Sequence, residues 1–156
     1  MKLVICGGAN YEKAYFRHLQ TLADDRVIFT GPRYGDSYLE LSQNALFFVM
    51  PADIEATRLV LLDQMGLGSA ILYRDCLATR EVVGDCAEPF GTDDAETDLA
   101  KKIEFLAANS AHCEDLGKRA LARAKEHFSW EQVVNQYEEL FARLGVSPAH
   151  ARKSHP

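Results

Sequence analysis

The feature that most constrains the fold is an alternation of short apolar runs with helical patterns along residues 2–90. The runs are continuous, as in LFFVM at 46–50, which is typical of strands covered on both faces. Strands that alternate with helices favour a parallel sheet with helices packed against it. Strands are predicted at 2–6, 26–30, 46–50, 69–73 and 86–90, and helices at 11–23, 36–44, 58–66 and 78–83.

From about residue 95 the pattern becomes helical only, in the segments AETDLAKKIEFLAAN, HCEDLGKRALARAKEHF and SWEQVVNQYEELFARL. Ser129 with Gln132 three residues later predicts a capping box at the start of the last helix. Apolar residues recur at helical spacing along that helix, and we expect them to pack. They are Trp130, Val133, Val134, Tyr137, Leu140, Phe141 and Leu144.

The chain of 156 residues suits one domain with a single core. We predict a Rossmann-like, three-layer α/β/α domain over 1–144, with a parallel sheet and C-terminal helices. The end, GVSPAHARKSHP at 145–156, has little to bury and is expected to form a flexible tail.

Composition excludes several functions. A net charge of -6 disfavours a surface that neutralises nucleic-acid phosphates. The four cysteines form no CxxC pair, and no His stands at zinc-ligand spacing, so we expect reduced thiols in a cytoplasmic protein and no metal site. The sequence carries no secretory signal pattern and no apolar run of about 18 residues, so no transmembrane segment is predicted.

An open parallel sheet binds its ligands beyond the carboxyl ends of its strands. Three loops qualify: Gly7-Gly8, the segment from Thr30 to Gly35, and the segment from Pro51 to Arg58. The glycine pair allows a backbone to approach an anion, or simply makes a tight turn. It lacks the spacing of a dinucleotide fingerprint or a P-loop, so no NAD or ATP cofactor is expected.

In the third loop, Thr57 can cap the helix that follows, directing its free N–H groups above the sheet. Arg58 in the first helical turn opposes the helix dipole, and an anion between them would remove this conflict. A surface ion pair between Arg58 and Asp53 is the alternative.

Two carboxylates accompany this helix. Glu55 precedes it, while Asp63 stands among Leu and Met residues, where a buried carboxylate would need a polar partner. Their separation suits hydrogen bonds to the hydroxyls of an elongated ligand better than a shared acid/base pair. The alternatives are a bond from Asp63 to a neighbouring loop backbone and solvent exposure for Glu55.

The ordered segments LVICGG, RVIFTG, FFVMP, EATRLVLLDQMGLGSAI, REVVGD and FSWEQVVNQYEELF resemble the C-terminal, donor-binding half of retaining family 4 glycosyltransferases. The resemblance covers residues 2–144. In that family two Rossmann-like halves face each other across a cleft, the GT-B architecture, and the C-terminal half holds the nucleotide sugar. The resemblance implies transfer of a glycosyl unit, with retention, to a glycan or lipid acceptor, as in polysaccharide or glycoconjugate synthesis.

The resemblance also implies a role for each matching residue. Glu55 corresponds to the catalytic-site Glu that approaches the donor sugar, and Asp63 to the acidic residue that binds the ribose. The loop of Thr30, Gly31, Pro32 and Arg33 corresponds to the nucleobase segment. The phosphates are expected near Gly7, Gly8, Thr57, Arg58 and Leu59.

Three departures from the family accompany this match. Asp63 replaces the usual Glu and is one methylene shorter, and Ala56-Thr57-Arg58 replaces a common Gly-Phe-Gly. The third is that the chain begins at what resembles the second strand of the donor half, so the first strand and the acceptor half are expected to be missing. We therefore expect an isolated chain that binds donor weakly and transfers nothing.

Other functions stay open on sequence grounds. The chain could be a non-catalytic nucleotide-sugar binding or assembly module, or a flavodoxin-like signalling or redox domain, although the latter gives Glu55 and Asp63 no task. The segment REVVGD at 80–85 is expected to close over the donor, with an ion pair between Arg80 and Glu81 as the alternative. Peripheral membrane contact by a parent enzyme also stays open.

Overall fold

A computed structural model describes residues 1–8, 13–52, 59–91 and 93–145 of the chain. It contains five strands: β1 (Leu3–Cys6), β2 (Val27–Gly31), β3 (Phe48–Met50), β4 (Ile71–Arg74) and β5 (Glu88–Phe90). Every predicted strand is present and begins one or two residues later than predicted.

Seven helices are described, four between the strands and three after them. They are α1 (Lys13–Leu22), α2 (Asp36–Gln43), α3 (Leu59–Gly66), α4 (Leu77–Val83), α5 (Ala95–Ala108), α6 (Ser110–His127) and α7 (Trp130–Arg143). The predicted succession of alternating elements followed by helices alone is confirmed. The predicted tail, apart from Gly145, lies outside the described residues.

All the described strand pairs are parallel, as predicted, but they form two hydrogen-bonded groups instead of one sheet. β1 pairs with β2, while β3, β4 and β5 pair in that order. The registers place Leu3 beside Val27 and Phe48 beside Ile71. Within the described residues, β1 and β3 therefore each have one strand neighbour. Periodicity cannot reveal such a division, because it identifies strands without showing which of them hydrogen-bond.

The core is built on both faces of β4. Ile71 and Tyr73 pack with residues of α3, α4 and α6, including Leu61 and Met65. Leu72, which points to the other face, packs with β5, α5 and α6. Helices therefore cover both faces of this strand, and the three-layer arrangement is confirmed around it.

The unit formed by β1, α1 and β2 is packed less tightly than the core. None of its described residues is buried, and Leu3 and Val4 are 49% and 41% exposed. An edge-to-face contact between Phe16 and Phe29, with ring centroids 5.4 Å apart, holds α1 against β2. Apolar surface of this unit is thus left open to solvent.

Helix α7 differs from its prediction. The Ser129 side chain accepts a hydrogen bond from the Gln132 N–H, which confirms one half of the capping box. The prediction that its apolar face packs is wrong, because no residue of α7 is buried and Trp130 is 82% exposed. Helical spacing reveals an apolar face but not whether another surface covers it.

Helix α6 binds the core through a close backbone contact and one arginine. A Cβ atom on Gly117 would lie 2.1 Å from the Gly68 carbonyl oxygen, so only glycine fits there. Arg123 donates hydrogen bonds to the carbonyls of Val82 (2.7 Å) and Glu81 (2.9 Å), which lie in the last turn of α4. These contacts hold α6 against the segment before β4 and against the last turn of α4.

We predict that Gly117→Ala lowers the free energy of unfolding by about 1 to 3 kcal/mol, because the new methyl group would displace backbone. This loss would oppose the helix propensity of alanine, which by itself favours the variant by about 1 kcal/mol. Urea denaturation of both forms measures the difference. Gly66→Ala is the matched control, since a Cβ there meets no atom within 4 Å, and its stability should not fall. Equal stability of Gly117→Ala and wild type would contradict the packing described.

Candidate functional site

The loop after β1 meets the last residue of β2 and the loop that follows it at the carboxyl ends of these strands. The Gly7 N–H donates a hydrogen bond of 3.1 Å to the Gly31 carbonyl. Both glycines have positive φ, 143° and 67°, which other residues adopt only with strain. A Cβ on Gly8 would lie 3.5 Å from the Pro32 ring. The structure thus brings together four residues that the sequence analysis assigned to two separate loops.

The Thr30 side chain forms a hydrogen bond with the backbone at this junction. Its hydroxyl donates to the Gly31 carbonyl at 2.9 Å and lies 3.5 Å from the Ile5 carbonyl, the alternative acceptor, and the residue is half-buried. The side chain is therefore engaged with backbone rather than directed at a ligand. Arg33 is exposed, and so is Tyr34, an aromatic ring in the same loop that the sequence analysis did not select.

The third predicted loop is described only in part. Glu55, Thr57 and Arg58 lie outside the described residues, as does Asp53, the alternative partner of Arg58. Leu59 is the first described residue of α3 and is exposed.

Asp63 is exposed, so the expectation of a buried carboxylate that needs an internal partner is wrong. Leu61, Gln64 and Met65 are the buried residues of α3. Because successive residues in a helix are about 100° apart, the side chain that precedes Gln64 points away from the core. Within the described part of the chain no side chain or backbone group pairs with the Asp63 carboxylate.

Gln64 is the buried polar residue of this helix, and the sequence analysis missed it. Its amide nitrogen donates to Tyr38 Oη (3.0 Å) and Ser42 Oγ (2.9 Å), while its oxygen accepts from Ser69 Oγ at 2.9 Å. A polar residue between Leu61 and Met65 on the inward face was the available signal. The sequence analysis instead predicted that Asp63, the charged residue of this helix, would be buried.

At the carboxyl end of β4, Arg80 pairs with Asp75. Its Nη2 lies 2.7 Å from Oδ1 and 2.6 Å from Oδ2, and this hydrogen bonding raises the pKa of Arg80. The expected alternative, an ion pair with Glu81, is therefore wrong. Arg80, in the last turn of α4, is thus held by a partner that lies five residues earlier.

The cysteines and the described cavity are not part of the candidate site at the glycine loops. All four cysteines are free, and burial raises the pKa of Cys86 and Cys113, which disfavours their nucleophilic thiolates. A shallow cavity of about 210 Å³ is lined by residues that include Ser42, Leu46 and Ser69. These residues precede β3 and β4, so the cavity lies at the amino ends of the strands, away from the glycine loops.

Parallel strands flanked by helices, with glycine loops at the carboxyl ends of β1 and β2, define a Rossmann-like α/β domain. The family model described as glycosyl transferases group 1 matches residues 1–109. The chain belongs to this family.

Named relatives agree with this assignment. The serotype-specific mannosyltransferase WbdA of Escherichia coli is 29% identical over 123 residues, which cover 79% of this chain and 15% of WbdA. The α-maltose-1-phosphate synthase of Mycolicibacterium smegmatis is 25% identical over 114 residues, which cover 69% of this chain and 30% of the synthase. The chain thus spans less than a third of these curated relatives.

Solved glycosyltransferase structures share the fold. Sucrose-phosphate synthase from Thermosynechococcus elongatus superposes with a TM-score of 0.77 and 25% identity, over 92% of this chain and 38% of the synthase. Anabaena HepE, solved in complex with UDP, has a TM-score of 0.77 and 19% identity, over 92% of this chain and 41% of HepE. The predicted Rossmann-like class and the resemblance to family 4 glycosyltransferases are confirmed. Among the described residues, no helix is long and apolar enough to cross a membrane.

We predict that Asp63→Ala changes the free energy of unfolding by no more than about 0.5 kcal/mol, since the side chain is exposed. Thermal and urea unfolding of the two forms measure this. Leu61→Ala, two residues earlier and buried, is the comparison and should lose about 2 to 5 kcal/mol. A large loss in Asp63→Ala would mean that the carboxylate has an internal partner after all.

Proposed function

We propose that this chain is the nucleotide-sugar-binding part of a retaining glycosyltransferase that acts on a glycan or lipid acceptor. The observation that carries the proposal is the hydrogen bond between Gly7 and Gly31, which joins the loop after β1 to the last residue of β2 at the carboxyl ends of these parallel strands. Glycines at such a junction let the backbone approach an anionic ligand closely. Family membership supports the same activity class.

The donor would lie across this edge. Gly7 and Gly8 would face the diphosphate, and the loop from Thr30 to Arg33 would flank the base. Since the Thr30 hydroxyl is bonded to backbone, the base contacts would come from Pro32, Arg33 and the exposed Tyr34 ring. That HepE was solved with UDP supports a nucleoside diphosphate as the ligand class.

The exposed Asp63 carboxylate would accept hydrogen bonds from both ribose hydroxyls, with its shorter reach made up by a backbone shift or a water molecule. Glu55 would orient the transferred sugar. Thr57, Arg58 and Leu59 would stand beside the diphosphate, where the start of α3 and the Arg58 cation would stabilise the charge of the leaving group. This stabilisation would be the main catalytic contribution of the chain.

We further propose that the donor domain, expected to span residues 1–144, lacks its first strand. The division of the strands into the groups β1-β2 and β3-β4-β5 supports this idea, because one strand between β1 and β3 would unite them. The exposed apolar residues of β1 are also what such a gap would leave uncovered. The isolated chain would then bind donor weakly and transfer no sugar, since the acceptor half would be absent.

The mannosyltransferase among the relatives supports a role in polysaccharide synthesis. A cytoplasmic location is part of the proposal and agrees with the free thiols. A non-catalytic binding or assembly module is the second candidate, favoured by the apolar face that α7 leaves exposed.

Calorimetric titration with UDP, GDP, ADP, dTDP and their common sugars tests the proposal. We expect selective binding of one nucleoside diphosphate by the wild type. In Asp63→Ala that affinity should fall by about one to two orders of magnitude, because a carboxylate that accepts hydrogen bonds from two hydroxyls contributes about 1.5 to 3 kcal/mol.

Asp25→Ala is the matched control, since this exposed carboxylate lies before β2, at the opposite end of the strand from the glycine loops. It should bind like the wild type. If the wild type bound none of the nucleotides or nucleotide sugars in the panel, the donor-binding proposal would be contradicted. Equal affinities in Asp63→Ala and wild type would contradict only the ribose role of Asp63.

A further inference from the structure

A buried amide connects the helices that carry the two sides of the candidate donor site. Gln64 is 1% exposed, and the hydroxyl-bearing residues Ser42 and Ser69 are 8% and 9% exposed. Both hydrogens of the Gln64 amide are used, one by Tyr38 and one by Ser42, and its oxygen accepts from Ser69. This network is satisfied at the Gln64 side chain, which is what makes a buried polar group stable.

The two acceptors belong to α2, which begins directly after the exposed loop of Arg33 and Tyr34. The Tyr38 N–H donates to the Gly35 carbonyl at 3.1 Å, so α2 and the end of that loop form one hydrogen-bonded piece. The Gln64 amide thus ties the loop to α3 through α2.

Gln64, the residue whose amide donates these hydrogen bonds, also affects the orientation of Asp63, which precedes it in α3. Hydrogen bonds are directional, so an amide that must reach Tyr38, Ser42 and Ser69 allows α3 little rotation about its axis. An apolar residue at position 64 would fill the space without such a restriction. With Gln64 held inward, the neighbouring Asp63 carboxylate is held outward.

We propose that Gln64 is a positioning residue that sets the distance between the base-side loop and the Asp63 carboxylate. The inference rests on the proposed function, because it assigns these two features to one nucleoside. Gln64 itself touches no ligand. Because Gln64 keeps the loop and the carboxylate at a fixed separation, the base and the ribose would bind to a surface that is already ordered. Less binding free energy would then be lost in ordering the loop.

A first experiment tests the coupling without ligand. In Tyr38→Phe and Ser42→Ala, which each remove one acceptor, hydrogen exchange at the Tyr38 and Leu39 amides should accelerate by about two- to tenfold, the range expected for one lost hydrogen bond. Amides of β4 should keep their wild-type exchange rates. Gln43→Ala, an exposed change on the same helix, is the control and should leave both regions unaltered. Unchanged exchange at α2 in both variants would overturn the inference.

A second experiment separates positioning from plain structural support. For folded protein, affinity for the nucleoside diphosphate that the wild type selects should fall about two- to tenfold in Tyr38→Phe and in Ser42→Ala. Affinity for inorganic pyrophosphate, which reaches neither the base-side loop nor Asp63, should stay constant. Gln64→Met keeps the side-chain length but removes the amide. Its affinity for the nucleotide should therefore fall by the combined losses of Tyr38→Phe and Ser42→Ala.

The outcomes are distinct. Normal nucleotide affinity in all three variants would overturn the positioning role and leave the donor-binding proposal intact. Equal losses for nucleotide and pyrophosphate would also overturn it, because they would indicate a general structural effect. If the wild type binds no nucleotide, the proposed function fails and the positioning role fails with it.

Discussion

Burial of β4 on both faces is the constraint on which the rest of the structure depends. Ile71 and Leu72 point to opposite sides and are both fully buried. Each face therefore requires its own helical layer, which α3, α4 and α6 supply on one side and α5 and α6 on the other. The close passage of Gly117 over Gly68 and the hydrogen bonds from Arg123 to the end of α4 hold α6 in this position. The carboxyl ends of the strands are left free for loops.

The chemistry at those ends follows from how the core orients its neighbours. Because Leu61, Gln64 and Met65 face inward, α3 presents Asp63 to solvent. The same rotation places the Gln64 amide against α2, and so relates the loop after β2 to the helix after β3. The two parts of this edge are linked through the buried network rather than through the sheet, since β1 and β3 are not paired among the described strands.

Packing is uneven along the chain, and the less buried parts carry the candidate contacts. The unit of β1, α1 and β2 has no buried residue among those described, and α7 has none either. Regions with few buried apolar contacts open at low cost in free energy. Contacts with a ligand or with another protein surface would stabilise these regions most.

The sequence by itself determined the order and type of the elements, because apolar periodicity and glycine or proline positions are local properties. It also identified Gly7 and Gly8 as loop residues, and the order of its segments indicated the family. Only the tertiary structure decided that Asp63 is exposed, that Gln64 is bonded to residues 26 and 22 positions away, and that Arg80 pairs with Asp75. It also decided that the apolar face of α7 is uncovered and that the strands divide into two groups. These features depend on which surfaces meet in space, and residues distant along the chain leave no periodic signal of their contact.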